Sequence, residues 1–221
     1  MNKEWSELNK TFQLQIKKEE TYKDGIATLF KLREKLMQTL TDMKCRYTRE
    51  AFNAIPFINA DGYHSKTIAY SIWHIFRIED ITAHTLIAGD DQIFFTGGYR
   101  ERIGSPIITT GNELVKVQIS DFSKQLDLNE LYSYIFEVKN STECILNKLP
   151  YNMLKNKITQ EAKERLQALN VVSTDEKAFW LVDYWCGKGI RGIIQMPFSR
   201  HWIMHTEACL RISDKLDKKH K

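Results

Sequence analysis

Two histidines, His201 and His205, lie four residues apart in an apolar segment near the end of the printed sequence. At about 100° per residue they share one helical face with mostly apolar side chains, namely Phe198, Ala208, Cys209, Ile212 and Leu216. Charged side chains fall on the opposite side of the same helix, at Glu207, Arg211 and Asp214. The pair therefore lies in the stripe that should face a protein core.

The position of this pair in a core-facing stripe is what favours a role as metal ligands. Because the chain has six histidines, the spacing alone arises often by chance. An imidazole buried without a partner costs about 1–3 kcal/mol, so each ring needs one. Residues four apart on a helix present their side chains to the same point, and one divalent metal ion there would satisfy both. The pair therefore predicts a metal site.

His74 is the candidate for a third ligand. On a helical projection its side is shared with several hydroxyl-bearing and apolar residues, namely Thr67, Tyr70, Ser71, Ile78, Ile81 and Thr85. A histidine at the edge of a core and beside hydroxyl groups is typical of a residue that lines a pocket. The alternative is a lone core histidine hydrogen-bonded to a carbonyl, and the residues alone leave both open.

Three other apparent motifs carry no function. Residues 187–192 read G-x-G-x-x-G, but a dinucleotide site needs a strand before this motif and a helix directly after it; we interpret it as a tight connection into the last helix. The pair His201/His205 is not a zinc-protease motif, because Trp202 stands where that motif has its glutamate. Cys209 is about 12 Å from His201 along a helix, so we assign it to packing.

The apolar periodicity predicts an all-α protein. A short opening helix contains Trp5, Leu8, Phe12 and Ile16. Four long helices follow, near 20–44, 65–88, 128–149 and 197–217, with Ser65 as an N-cap, Gly89 and Pro150 as stops and Pro197 in a first turn. Weaker helical stretches cover 159–168 and 175–186, and weak extended candidates cover 91–95 and 114–119. Together they predict one helical bundle domain over 1–221, with long connections at 90–127 and 150–196 and short accessory helices.

Composition excludes several classes of protein. The chain is 43% hydrophobic and 27% charged, with a net charge of +4, which is ordinary for a globular domain. The first printed residues, Met-Asn-Lys-Glu-Trp, lack the apolar core of a signal peptide, and no apolar run is long enough for a membrane span, so we expect a cytoplasmic protein without a membrane partner. The basic cluster is Lys215, Lys218, Lys219 and Lys221. We interpret it as a solvated helix end, and we expect no nucleic-acid partner.

The four cysteines, Cys45, Cys144, Cys186 and Cys209, form no C-x-x-C pair. Scattered thiols in a cytosolic chain of this size are typical of small buried hydrophobic residues, and they do not indicate a disulfide framework. We therefore expect four free, buried thiols.

Two segments resemble DinB/YfiT-like proteins, a family distinct from the DNA polymerase that shares the label. Residues 67–80, TIAYSIWHIFRIED, resemble the second bundle helix of that family, and residues 198–205, FSRHWIMH, resemble its last bundle helix. The resemblance implies a DinB-like four-helix bundle in which His74, His201 and His205 bind a divalent metal, often zinc or nickel. Characterised members include thiol-dependent S-transferases and isomerases. The separation of 127 residues between His74 and His201 is longer than usual, and the two long connections are expected to cover the metal.

Three neutral ligands leave coordination positions open, as in catalytic metal sites. This predicts a metal-dependent enzyme of thiol S-transferase or hydrolase type, acting on a small molecule, with a low-molecular-weight thiol as a candidate cosubstrate and with Tyr70 and Ser71 lining the pocket. Glu79 and Asp80 are the carboxylates nearest to His74 in sequence, but their helix angles point away from it. The alternative is a non-catalytic bundle that a metal stabilises and that binds a partner, with Trp73 at the interface. A homodimer is left open.

Overall fold

The computed structural model describes residues 2–218, except for the side chain of Tyr63. Lys219 and Lys221 of the basic C-terminal cluster therefore lie outside the described residues. The described chain is all-helical and contains no strand; its one isolated β-bridge joins Lys157 to Gly189. This confirms the predicted all-α class.

The α-helices are α1 Lys3–Gln15, α2 Tyr22–Arg46, α3 Arg49–Asn53, α4 Ile68–Asp80, α5 Ile93–Thr96, α6 Tyr99–Ile103, α7 Val117–Gln125, α8 Leu128–Lys148, α9 Gln160–Ala168, α10 Glu176–Cys186, α11 Ile190–Gln195 and α12 His201–Asp217. Short 3-10 helices occupy Glu19–Thr21, Gly62–His64 and Tyr151–Lys155. Two π-helical segments, Ile81–Ala88 and Met196–Arg200, continue α4 and precede α12. None of these helices is long and apolar enough to cross a membrane.

The four long helices begin and end close to the predicted residues. The exception is the N-cap of α4. Thr67, not Ser65, is the N-cap of α4, because its hydroxyl accepts a hydrogen bond from the Tyr70 amide at 3.0 Å. Gly89 ends the π-helical continuation of α4 with φ +72°, as predicted. The start of the last predicted helix, Met196–Arg200, is π-helical and not α-helical. Pro197, which has no amide hydrogen, lies at the start of this segment.

The long connections contain more helix than the sequence pattern indicated. The extended candidate at 91–95 was wrong, because the Asp80 carboxylate accepts hydrogen bonds from the Ile93 and Phe94 amides and caps α5. The candidate at 114–119 was also wrong, since Ile119 and Phe122 are buried with a helical spacing in α7. The G-x-G-x-x-G stretch follows α10 and runs into the short helix α11, with no strand before it in the described chain.

The core comprises two clusters of buried hydrophobic side chains, and the long helices α2 and α4 contribute to both of them. On α2, Leu29 belongs to one cluster and Leu32 to the other. Cys209 is buried in the core as predicted. The prediction was wrong for Cys45 and Cys144, which are exposed, and for Cys186, which is half-buried; all four thiols are free.

A buried polar network joins the four long helices. Arg33 of α2 donates to both carboxylate oxygens of Glu79 on α4, at 2.7 and 2.9 Å, and to Glu143 of α8 at 3.0 Å. The indole Nε1 of Trp202 on α12 donates to Glu79 at 2.7 Å, and the Arg33 guanidinium lies 4.4 Å from the centre of the Trp202 ring. Because Arg33 and Glu79 are both fully buried, each charge depends on the other.

Glu79→Gln should therefore lower the free energy of unfolding by about 3–5 kcal/mol, because it leaves the buried Arg33 cation without its main counter-ion. Urea unfolding followed by tryptophan fluorescence measures this change. Glu4→Gln is the matched control, since Glu4 forms a surface ion pair with Lys35 at 2.8 Å and should change stability little. Equal losses in the two variants would contradict a central role for Glu79.

Candidate metal centre

The three histidines singled out from the sequence meet in the structure. His74 of α4 and His201 and His205 of α12 are buried, and one ring nitrogen from each lies within 4.8 Å of those of the other two. Their ring centres are 5.0 Å (His74–His201), 4.8 Å (His74–His205) and 4.5 Å (His201–His205) apart. They are close enough to hold one metal ion.

The Arg33–Glu79 network sets the register that brings these rings together. Trp202, whose indole donates to Glu79, directly follows His201 in α12. Glu79 lies five residues after His74, on the same helix. The hydrogen bond between α4 and α12 thus fixes the two helices against each other a little more than one turn from the histidines.

His74 is oriented by a hydrogen bond to a backbone carbonyl, as in the alternative interpretation, but the sequence did not reveal which carbonyl. Its Nδ1–H donates to the carbonyl oxygen of Thr110 at 2.6 Å, which leaves Nε2 with the lone pair that a metal needs. The ring is stacked on Tyr70, with centres 5.3 Å apart and planes 13° from parallel. Thr110 lies in the connection between α6 and α7, and a backbone carbonyl has no sequence signature.

The Thr110 carbonyl is held in place by its neighbours on the same loop. Arg77 of α4 donates through Nε and Nη2 to the carbonyl of Ile108, at 3.0 and 2.8 Å, and the Tyr70 hydroxyl donates to the carbonyl of Gly111 at 2.9 Å. Gly111 has φ +75°, and a Cβ there would lie 3.0 Å from the rings of Trp73 and Tyr70. Trp73 is fully buried beneath this loop, so the predicted interface role for it was wrong.

Glu79 and Asp80 have other partners than His74, as their helix angles indicated. Asp80 accepts hydrogen bonds from the Tyr134 hydroxyl at 2.9 Å and from the two amides at the start of α5. Burial raises the pKa of Asp80, and the nearby Arg77 guanidinium opposes this. Neither carboxylate orients the histidine cluster directly.

The buried rings are in the protonation state that metal binding requires. Burial lowers the pKa of His74 to about 4, and burial together with the neighbouring histidines lowers the pKa values of His201 and His205 well below 6.5. All three are therefore neutral at pH 7 and carry free lone pairs. Nδ1 of His201 is buried and has no hydrogen-bond partner among the described residues, which is a reason to expect a bound ion.

No other metal-binding side chain joins this group in the described part of the chain: the cluster consists of His74, His201 and His205, without cysteine or carboxylate. Imidazole ligands suit zinc and nickel. Metal–nitrogen bonds of about 2.0–2.1 Å in tetrahedral geometry place the nitrogens about 3.4 Å apart. Since the ring nitrogens already lie within 4.8 Å of one another, small side-chain rotations would suffice.

Two clefts of different character reach the histidines. The polar cleft has a volume of about 640 Å³ and is lined by His74 and His205 together with Asp61, Lys66, Tyr70, Asn112, Lys116 and Lys177. The apolar cleft has a volume of about 280 Å³ and is lined by the three histidines, Asn112, Ile78, Trp180, Tyr184, Trp185, Met196 and Met204. The connections 90–127 and 150–196 each supply part of these walls, so they do cover the site as expected.

Only one of the two residues predicted to line the pocket does so. Tyr70 lines the polar cleft, although its hydroxyl is directed to Gly111. Ser71 is fully buried and is not part of the lining of either cleft; it lies next to the Cys209 thiol, whose pKa burial raises to about 12. A helical projection could not distinguish these two residues, because neighbouring positions on a helix can face a cleft and the core.

Comparison with protein-family models gives no match to this chain. Comparison with curated proteins gives none either. The resemblance of residues 67–80 and 198–205 to DinB/YfiT-like proteins therefore stays a prediction.

Gly111→Ala should lower metal affinity as well as stability, because the new methyl group would displace the loop that carries the Thr110 carbonyl. Gly89→Ala is the matched control: Gly89 also has a positive φ, of +72°, but a Cβ there has nothing within 4 Å. Gly89→Ala should lower the free energy of unfolding only by the strain of its backbone conformation, about 1–2 kcal/mol, and it should keep the wild-type metal affinity. Zinc competition with a chromophoric chelator and urea unfolding measure the two effects. Unchanged zinc affinity in Gly111→Ala would show that the loop does not support the site.

The stability of the metal-free protein should fall as the pH is lowered from about 6.5 to about 4. Unfolded histidines take up protons near pH 6.5, whereas His74 in the fold does so only near pH 4, so acid favours the unfolded state. For His74 the loss is on the order of 3 kcal/mol. Urea unfolding at several pH values should show a smaller decline in His74→Gln. Identical declines in the two proteins would contradict the lowered pKa.

Proposed function

We propose that this protein is a divalent-metal-dependent enzyme that acts on a small molecule, of thiol S-transferase or hydrolase type, with His74, His201 and His205 as the metal ligands. The observation that carries the proposal is the convergence of three buried, neutral imidazoles at the junction of two clefts. Zinc or nickel is the expected metal, and a low-molecular-weight thiol is the expected cosubstrate of the transferase form.

Bound there, a divalent metal would lower the pKa of a thiol or water and so supply a nucleophile at neutral pH. The residues of the chain do the remaining work. The Thr110 carbonyl keeps the proton of His74 on Nδ1 and so directs Nε2 towards the centre. The buried amide oxygen of Asn112 has no partner among the described residues. Since Asn112 lines both clefts, it is placed to hydrogen-bond a substrate at their junction.

Access favours a catalytic over a structural role. A structural metal site is usually closed by four protein ligands, whereas these histidines line two clefts and have no fourth protein ligand in the described chain. The four long helices are already joined by Arg33, Glu79, Glu143 and Trp202. We therefore expect the protein to stay folded without metal. The bundle then does not need a metal for stability, which counts against the non-catalytic alternative.

Membership of the DinB/YfiT-like family is part of the proposal. The supporting observations are the order of the long helices α2, α4, α8 and α12, the position of one candidate ligand on the second of them, and the pair on the last. The DinB-like four-helix bundle is the arrangement that these four helices would form, with α5–α7 and α9–α11 as additions that shape the clefts.

His201→Ala should lower zinc affinity by about 100-fold or more. Removing a side chain that binds the metal weakens metal binding more than removing a group that only orients such a side chain. His64→Ala is the matched control, because His64 lies outside the cluster, where the Arg211 side chain contacts it. Metal analysis of freshly purified proteins, followed by zinc titration, measures both. Circular dichroism should show that His201→Ala keeps its helical content, and wild-type zinc content in that variant would remove His201 from the site.

Catalysis is tested by comparing metal-loaded with metal-stripped protein. Conjugation of electrophiles with a panel of small thiols reports S-transfer, and cleavage of ester and amide substrates reports hydrolysis. We expect at least one of these reactions to depend on added zinc or nickel and to be lost in His201→Ala. Equal rates with and without metal in every assay would overturn the enzymatic proposal.

A further inference from the structure

Lys66 is a half-buried cation in the wall of the polar cleft. It directly precedes Thr67, the N-cap of α4, and its ammonium lies 5.0 Å from the centre of the Tyr70 ring. The same Tyr70 ring is stacked on His74. None of the ion pairs or hydrogen bonds in the described chain involves Lys66. A lysine that loses water without gaining a counter-ion is unusual in a folded protein.

The surroundings of Lys66 show that this positive charge is not compensated. Burial lowers its pKa to about 8, so it is still mostly protonated at pH 7, and its charge further lowers the pKa values of His74 and His205. Burial and the charge of Glu113 raise the pKa of Tyr70, and Glu113 accepts a hydrogen bond from the Thr109 hydroxyl. A bound divalent metal would add to the positive charge.

Two of the three remaining charged side chains in the described lining of the polar cleft are also lysines. Lys116 and Lys177 line it and are exposed, and Asp61 is the only carboxylate in the described lining. Lys116 has φ +49°, a conformation that costs energy for a residue with a side chain. The cleft thus presents an excess of positive charge beside the proposed metal.

We propose that Lys66 binds the carboxylate of a small molecule that occupies the polar cleft, with the reacting atom of that molecule at the three histidines. This inference names the ligand class of the site and rests on the proposed metal function for the position of the reacting atom. The binding of the anionic group at Lys66 does not require the metal. The cleft volume of about 640 Å³ is typical of small-molecule sites.

A carboxylate suits this cleft better than a phosphate group. Phosphate sites usually offer an arginine fork or several backbone amides at a helix start, and no arginine is part of the described lining. The half-buried ammonium of Lys66 and the amide of Asn112 match one carboxylate and one further polar group. The apolar cleft shares His74 and His205 with the polar cleft and is also lined by Trp180 and Trp185; it would receive the uncharged part of the reactants.

The test uses the cobalt-loaded protein at pH 7 and two thiols that differ only at the far end, 3-mercaptopropionate and 3-mercaptopropionamide. Binding of either thiol is followed by the cobalt–thiolate charge-transfer absorption, so the readout does not depend on turnover. We expect the acid to bind about tenfold more tightly than the amide, the ratio that one charge-assisted hydrogen bond provides.

Three variants separate the role of Lys66 from general electrostatics. Lys66→Met keeps an apolar stem over the Tyr70 ring and should abolish the preference for the acid, whereas Lys66→Arg should keep it. Lys31→Met removes the same charge from an exposed position on α2 and should leave the preference unchanged. Equal affinities for the two thiols in the wild-type protein, or a preference that survives Lys66→Met, would overturn the inference.

A second measurement tests the carboxylate site in case the metal proposal fails. If neither thiol produces the charge-transfer absorption, the metal does not bind a thiol and the S-transferase form of the proposed function is wrong. The carboxylate site is then decided on metal-free protein with dansylglycine and dansylglycinamide. A preference of about tenfold for the acid, lost in Lys66→Met and kept in Lys31→Met, would support the site without the metal. Equal fluorescence titrations of the two probes would refute it.

Discussion

The buried ion pair between Arg33 and Glu79 is the interaction on which the arrangement of the long helices depends. Both side chains are fully buried, and the cost of removing either charge from water is several kcal/mol. That cost is offset only when the hydrogen bonds to Glu143, to Trp202 and to the carbonyl of Phe198 are all made. Helix packing by hydrophobic contacts tolerates small shifts, but this network does not. It therefore selects one register among those that the apolar stripes allow.

The same register prepares the histidine cluster before any ligand binds. His74 and the pair on α12 are held as neutral rings in the core, which is unfavourable in acid but presents free lone pairs at pH 7. Trp202 connects the two features, since it follows His201 and donates to Glu79. The stability of the helices is thus supplied away from the cluster, and the site can remain open to the two clefts without loss of the fold.

Sequence reasoning could predict the long helices and the core-facing pair on α12 because both depend on local periodicity, whereas His74 entered the ligand set through the resemblance to DinB/YfiT-like proteins. The helix predicted at 128–149 is found at Leu128–Lys148, and the core-facing pair His201 and His205 is found in the core. It could not predict α5, whose start depends on the distant carboxylate of Asp80, or the Thr110 carbonyl that orients His74. It also missed Lys66, because the burial of a surface-type residue depends on loops that pack together only in the fold.

These differences indicate a division between the parts of the chain that hold the candidate ligands and the parts that shape the clefts. The candidate ligands lie on α4 and α12, which the buried network fixes. The cleft walls come largely from Lys66, Asn112 and Lys177, which lie outside the long helices, and from Trp180 on the short helix α10. Substitutions in these walls can alter charge and shape without removing Glu79 or the histidines from the helices that position them. Substrate selectivity should therefore be determined by the connections, and two segments that resemble a family's ligand helices carry little information about it.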